Sequence, residues 1–303
     1  MKGPAEADPF CLLLDSYHAL RKLPDLHSRT GKRKVDSMLN LPVALAIAGS
    51  DSGGGSGIQA DLKTFSSLDV FGTTAITCVT AQNPDELLGI SPVDPAMVAQ
   101  QIKAVCDSYS VRVAKTGMLY SSDIIRAVAD EDIREGIAVL VVDPVMVAAS
   151  GARLLQADAI EALKNELLPK ARVVTPNLHE AEILCGRSIS SVEDLRAAAK
   201  EISETFDLAC VAKGGDLSGN EVVDILVDGV EEHVFTSDRV PAKETHGAGC
   251  AFSAALTAFL ARGELLSDAV AASQRYVVHA LKSAPDVGRH RPLRFFWENE
   301  AFE

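Results

Sequence analysis

The chain has 303 residues, 47% hydrophobic and 23% charged, which are ordinary globular proportions with ample apolar material for a large core. Its formal net charge of −13 argues against broad binding to nucleic acid or to an anionic membrane. No run approaches the roughly 18 apolar residues of a membrane span, and six scattered cysteines without a Cys-x-x-Cys read as free thiols of a reducing cytoplasm.

The first 37 residues differ from the rest. They hold one short apolar patch, "FCLLL", and a basic polar run, "SRTGKRKVDS", so 1–37 reads as a poorly ordered N-terminal extension and 38–303 as one domain. Beyond Leu41, short Val/Ile/Ala runs alternate with amphipathic stretches. Strands are expected at 43–49, 73–80, 111–117, 138–145, 172–177, 208–215 and 222–229. Helices are expected at 58–69, 95–107, 121–134, 158–168, 178–185, 191–205, 248–262 and 266–282. Near-continuous apolar strands are covered on both faces, and strand–helix alternation at this spacing implies an α/β fold with a mostly parallel sheet. Ligands of such sheets sit beyond the carboxyl ends of the strands, so the strand-to-helix turns carry the information.

The first turn reads "AGSDSGGGSGIQADLKTF". Its glycines allow a ligand to approach bare main chain, but the spacing matches neither standard nucleotide fingerprint. The second strand ends in "TAQN", where Gln82 can both donate to and accept from a heteroaromatic edge; a solvated loop amide would look the same. "KTGML" follows the third strand, with Met118 either the wall of a flat-ring site or core filler. "VVDPVM" places Asp143 after the fourth. "TPNLHE" sets Asn177 and Glu180 three apart at a helix start, a pair that suits hydrated Mg²⁺ or a plain capping box. "KGG" ends the sixth strand with Lys213. The most specific stretch is "THGAGCAFSAALTAFLARG": small residues Gly247, Ala248 and Gly249 open a long alanine-rich helix, as an anion site requires. Cys250 falls in that first turn, where a thiol pKa is expected to be lowered.

Taken together, "AGSDSGGGSGIQADLKTFSSLDVFGTTAITCVTAQN", "KTGML", "VVDPVM", "SGARLL", "VVTPNLHEAEIL", "KGG" and "THGAGCAFSAA" stand in the order and spacing of hydroxymethylpyrimidine/phosphomethylpyrimidine kinases of the ribokinase superfamily, which the chain resembles from about Leu41 to Arg291. The resemblance implies a ribokinase-like three-layer αβα sandwich. It also implies transfer of phosphate from MgATP to 4-amino-5-hydroxymethyl-2-methylpyrimidine and then to its monophosphate, in thiamine biosynthesis.

Carried over by position, it places the pyrimidine against Gly49, Asp51, Asp61, Gln82, Met118 and Val145. Gly247, Ala248, Gly249 and Cys250 become the catalytic turn, with Cys250 where sugar kinases carry aspartate. Lys213 and Thr245 fall on the nucleotide side, and Asn177, Glu180 and Asp143 around Mg²⁺. Three departures stand out: Ser56 within the glycine turn, Asp216 after Lys-Gly-Gly, and the turn Asn83-Pro84-Asp85-Glu86. Small-molecule partners only are expected, with a homodimer compatible. The rival readings are a pyridoxal kinase and a non-catalytic pyrimidine-binding regulator.

Overall fold

The computed structural model describes residues 41–132, 135–147, 154–156, 158–241 and 246–295. The extension expected over 1–37, Thr245 and most of "SGARLL" lie outside the described residues. From Leu41 onward the chain forms one compact unit.

Nine strands make one sheet. They are β1 (Val43–Asp51), β2 (Phe71–Gln82), β3 (Leu87–Pro92), β4 (Val113–Thr116), β5 (Val139–Val142), β6 (Val173–Val174), β7 (Ala209–Lys213), β8 (Glu221–Asp228) and β9 (Glu231–Asp238), and their spatial order is β3-β2-β1-β4-β5-β6-β7-β8-β9. Strands β2-β1-β4-β5-β6-β7 pair in parallel, while β3, β8 and β9 join antiparallel. The sequence runs outward from β1 to β2 and β3, then resumes at β4 on the other side of β1. That reversal creates a crevice between β1 and β4 at the carboxyl edge.

The helices are α1 (Gly57–Ser67), α2 (Pro95–Ser108), α3 (Ser122–Ala129), α4 (Ala159–Ala162), α5 (Leu178–Cys185), α6 (Val192–Phe206), α7 (Ala248–Ala261) and α8 (Leu266–Lys282). They cover both faces of the sheet, and the strand period of two sorts the core accordingly. Leu45 and Ile47 of β1 join the α2–α6 side, whereas Ala44 and Ala46 face α1 and α7. Residues of β5 and β7 divide the same way, with Val142 and Cys210 on the first side and Val141 and Val211 under α7 and α8. The alanines of β1 meet the alanines of α7, so the helix that starts the proposed anion site lies close against the sheet.

Two strands escape the sequence pattern. β3 is exposed along most of its length and holds Gly89 and Pro92, and β9, "EEHVFTSD", is polar and half exposed. Both are short outer ribbons, which need little apolar patterning. The helix expected over 121–134 stops at Ala129, where Asp130 turns extended. That expected at 158–168 is α only to Ala162. It widens into a π turn over Leu163–Leu167 and tightens over Leu168–Lys170, where Pro169 has no N–H for a helical ladder.

Candidate active site

The glycine turn after β1 is organised by Asp51. Gly53 N–H donates to its Oδ1 at 2.8 Å, and Ser56 N–H and Oγ–H both donate to Oδ2 at 2.8 Å. His246 Nε2 lies 3.2 Å from the same oxygen. Burial alone would raise the Asp51 pKa, but His246, the Ser56 hydroxyl and the two main-chain donors outweigh it and hold the carboxyl at about 2. Asp51, expected to border the substrate, therefore has its acceptors occupied by the loop itself. It shapes the crevice wall, and Ser56, a departure from the family pattern, supplies one of its bonds.

The turn that begins α7 packs onto that loop. Gly247 sits at φ +84°, and a Cβ there would stand 1.8 Å from Gly55 O. The residue must be glycine on both counts. Across the crevice, Lys213 Nζ is 3.3 Å from Asp143 Oδ1, and the same ammonium would lie 3.3 Å from a Cβ on Gly249. A partly buried cation thus sits against the start of α7. Burial pulls the Lys213 pKa down, but Asp143 and Glu180 more than reverse this, so it stays an ammonium. Gly247, Ala248 and Gly249, with the dipole of a 14-residue helix behind them, form the concave end that suits a phosphoryl group.

Asp143 is anchored by Thr175 Oγ1 at 3.3 Å and Ser253 Oγ at 3.1 Å. Glu180 is buried, and that burial, reinforced by Asp143 and opposed by Lys213, lifts its pKa to about 8. Without a further cation Glu180 keeps its proton at neutral pH, and a hydrated Mg²⁺ beside Asp143 and Glu180 would supply the positive charge that favours its ionised form. Among the described residues no cluster of three His, Cys, Asp or Glu side chains forms a closed metal cage. Asn177 lines the same cleft and caps the helix that carries Glu180. Its Oδ1 accepts from Glu180 N–H and its own N–H donates to Glu180 Oε2, both at 2.9 Å, in a complete capping box. Asn177 acts by holding Glu180.

At the β1–β4 end lie Gly49, Asp61, Gln82, Met118 and Val145, lining one continuous cleft of about 680 Å³ with Lys213, Cys250 and the α7 turn. Gln82, at the end of β2, is partly exposed there. Asp61 is fully buried and paired through Oδ1 with Lys115 Nζ at 2.6 Å. Burial raises the Asp61 pKa to about 6, with Lys115 opposing and Asp143 adding to the rise. Lys115 was visible in "KTGML" but has no motif signature of its own, because a lysine inside a strand normally faces water.

Cys250 reverses its expectation. The start of α7 was to lower its pKa, yet burial pushes it up to about 12; Lys115 opposes this, and Asp143 and Asp61 reinforce it. At neutral pH it is a thiol.

A parallel sheet with a cleft at its reversal point, a small-residue helix start facing a partly buried lysine, and acidic groups suited to a hydrated cation define a small-molecule phosphotransferase of ribokinase-like fold. The chain belongs to the phosphomethylpyrimidine kinase family, whose model matches residues 51–293. It is 42% identical over 255 residues to the hydroxymethylpyrimidine/phosphomethylpyrimidine kinase of Bacillus subtilis, covering 84% of this chain and 94% of that one. It is 45% identical over 250 residues to the thiamine biosynthesis bifunctional protein ThiED of Geobacter sulfurreducens, covering 82% of this chain but only 51% of that longer protein. Among solved structures, an ADP complex of Bacillus subtilis pyridoxal kinase superposes with a TM-score of 0.78 at 38% identity, covering 84% of this chain and 98% of that one.

Proposed function

We propose that this protein phosphorylates 4-amino-5-hydroxymethyl-2-methylpyrimidine and then its monophosphate, with MgATP as donor, in thiamine biosynthesis. The observation that carries the reading is the joining of the two glycine turns. Asp51 and His246 tie the wall of the ring site to the helix start that receives phosphate, so acceptor and donor share one cleft.

In this reading Gln82 bonds the aminopyrimidine edge and Met118 and Val145 flank the ring. Gly49, whose bare backbone lies against Cys78 and Met118, leaves room beside them. The main-chain N–H groups of 247–249 face the transferring phosphoryl group, and Lys213 adds a fixed positive charge; Thr245 is the remaining nucleotide-side candidate. Asp143 and Glu180 would hold Mg²⁺ through its waters, and the metal would neutralise charge on the phosphates. The transition state of such transfers is loose, so positioning and electrostatics supply most of the rate. The acceptor proton then leaves late, and Cys250 would receive it only as the thiolate, the form that Lys115 favours and burial opposes.

The pyridoxal kinase reading stays in view because a pyridoxal kinase shares the fold at a TM-score of 0.78. ATP consumption measured at equal concentrations of the hydroxymethylpyrimidine, its monophosphate and pyridoxal separates the alternatives. The highest kcat/KM is expected with the pyrimidines. A higher value with pyridoxal reverses the assignment, and pyrimidine binding without turnover makes the protein a regulator. We place it in the cytoplasm, as a homodimer or a monomer. Support for that compartment comes from Cys78, Cys185, Cys210 and Cys250, which are free thiols. Among the described residues no helix is long and apolar enough to cross a membrane.

A further inference from the structure

Lys115 lies on β4, in the middle of the sheet, with no exposure to solvent. Burying a lysine this deeply is costly unless it is paired, and the general use of a wall-forming strand residue is apolar packing. Its ammonium bonds Asp61 Oδ1 at 2.6 Å, while the second carboxylate oxygen, Oδ2, is buried and has no hydrogen-bond partner. Both residues line the cleft, at its β1–β4 end. A buried carboxylate oxygen left unpaired is a waiting acceptor.

We propose that Lys115 is a positioning residue of the acceptor site: by holding Asp61 through Oδ1 it fixes the carboxylate and leaves Oδ2 available to a donor, N–H or O–H, of the acceptor ring. The inference rests on the kinase reading above for the identity of that ring. The titratable groups that act on the pair are Asp143, after β5, and the thiol of Cys250, in the first turn of α7; Asp61 itself is carried by α1. Burial favours a neutral Lys115, but Asp61 and Asp143 hold it as an ammonium. With Lys115 charged, Asp61 is ionised at neutral pH and takes a proton only near 6. Without that cation the same buried carboxyl would stay protonated well above neutrality. Oδ2 would then no longer be fixed as an acceptor.

The test uses Lys115→Met and Lys115→Gln in the full chain, the latter keeping a donor to Oδ1 without the charge. Three readouts are taken: calorimetric affinity for the hydroxymethylpyrimidine without nucleotide, affinity for ATP, and the carboxyl ¹³C titration of Asp61, assigned with Asp61→Asn. In Lys115→Met the pyrimidine affinity is expected to fall by about tenfold or more, with ATP affinity unchanged. The Asp61 titration is expected to rise by about one pH unit or more in both variants, and Lys115→Gln should recover part of the lost affinity. If Lys115→Met does not fold, Lys115→Gln alone decides through the titration. Wild-type pyrimidine affinity together with an unmoved Asp61 titration overturns the proposal. A wild-type protein that binds no pyrimidine, yet whose Asp61 titration shifts in the variants, rejects the substrate and upholds the pair.

Discussion

His246 Nε2 stands 3.2 Å from Asp51 Oδ2, and through this contact the turn that follows β1 and the turn that starts α7 form one wall. The two residues are 195 positions apart, and the bond is reinforced by main-chain packing of Gly55 against Gly247. In the kinase site proposed above, acceptor and phosphate positions would be set relative to each other by this one carboxylate.

The first prediction follows from that carboxylate's pKa. The native Asp51 value, about 2, lies below its ordinary 3.8. The native state thus binds fewer protons than the unfolded chain between these values. Asp51 contributes its stability above pH 3.8 and loses it as pH falls through about 2, by roughly 2 kcal/mol in all. Asp61 works in the opposite sense, since its native value of about 6 means stability from that group declines as pH rises from 3.8 through 6. Asp51→Asn should flatten the acid arm of the unfolding free energy below pH 4, measured by denaturant melts from pH 2 to 7. An unchanged acid arm would show that the loop bonds do not select the carboxylate.

The second concerns Gly247. An alanine would need φ +84° and would meet Gly55 O at 1.8 Å. The left-handed conformation alone costs about 1–2 kcal/mol, and the collision forces the two turns apart. Gly247→Ala is expected to lower the melting temperature and to weaken ATP binding at least tenfold. Near-normal ATP affinity would place the phosphates elsewhere.

The sequence made the alternation of strands and helices legible because parallel strands buried on both faces leave unbroken Val/Ile/Ala runs. It did not reveal β3 and β9, whose outer faces meet water and whose pattern resembles loop. The turns were legible as sites because glycine has few other uses there. What no local pattern could show was occupancy. Asp51 looked like a substrate contact until its oxygens were found filled by Gly53, Ser56 and His246. Asn177 was open between metal neighbour and helix cap; the capping box with Glu180 engages its Oδ1 and main-chain N–H, and the residue also lines the cleft. Lys115 could be recognised only by the carboxylate that α1 brings to it from 54 positions away.

A third prediction addresses ring recognition. Gln82 ends β2 at the mouth of the cleft, with Oε1 accepting from Thr80 Oγ1 at 3.3 Å. A polar partner left unpaired typically costs about 1–3 kcal/mol, so Gln82→Leu should weaken pyrimidine binding roughly tenfold and leave ATP binding alone. Titration calorimetry with each ligand separately reads the difference. Equal pyrimidine affinity in the variant would remove Gln82 from the ring site.

The last prediction is about Cys250. Burial lifts its thiol to about 12, against the pull of Lys115, so in the free protein it is not a ready nucleophile. Iodoacetamide should modify it slowly at pH 7.5, not ahead of Cys185, which is as partly exposed as Cys250 itself, with a rate that climbs only in strongly alkaline buffer. To act as a base Cys250 must first lose its own proton, so the reactive form is the thiolate, which Lys115 favours. The acceptor oxygen becomes acidic as its bond to phosphorus forms, and its proton would pass to that thiolate late in the step. Cys250→Ala is expected to reduce kcat by about 10²–10⁴ if the sulfur receives that proton, with substrate affinities near wild type. Cys250→Asp should restore part of the loss, because a carboxylate can accept the same proton from a slightly displaced position. If Cys250→Ala instead leaves kcat within a few-fold and lowers only the melting temperature, the sulfur merely packs the first turn of α7. Phosphoryl transfer then rests on the 247–249 turn, Lys213 and the metal.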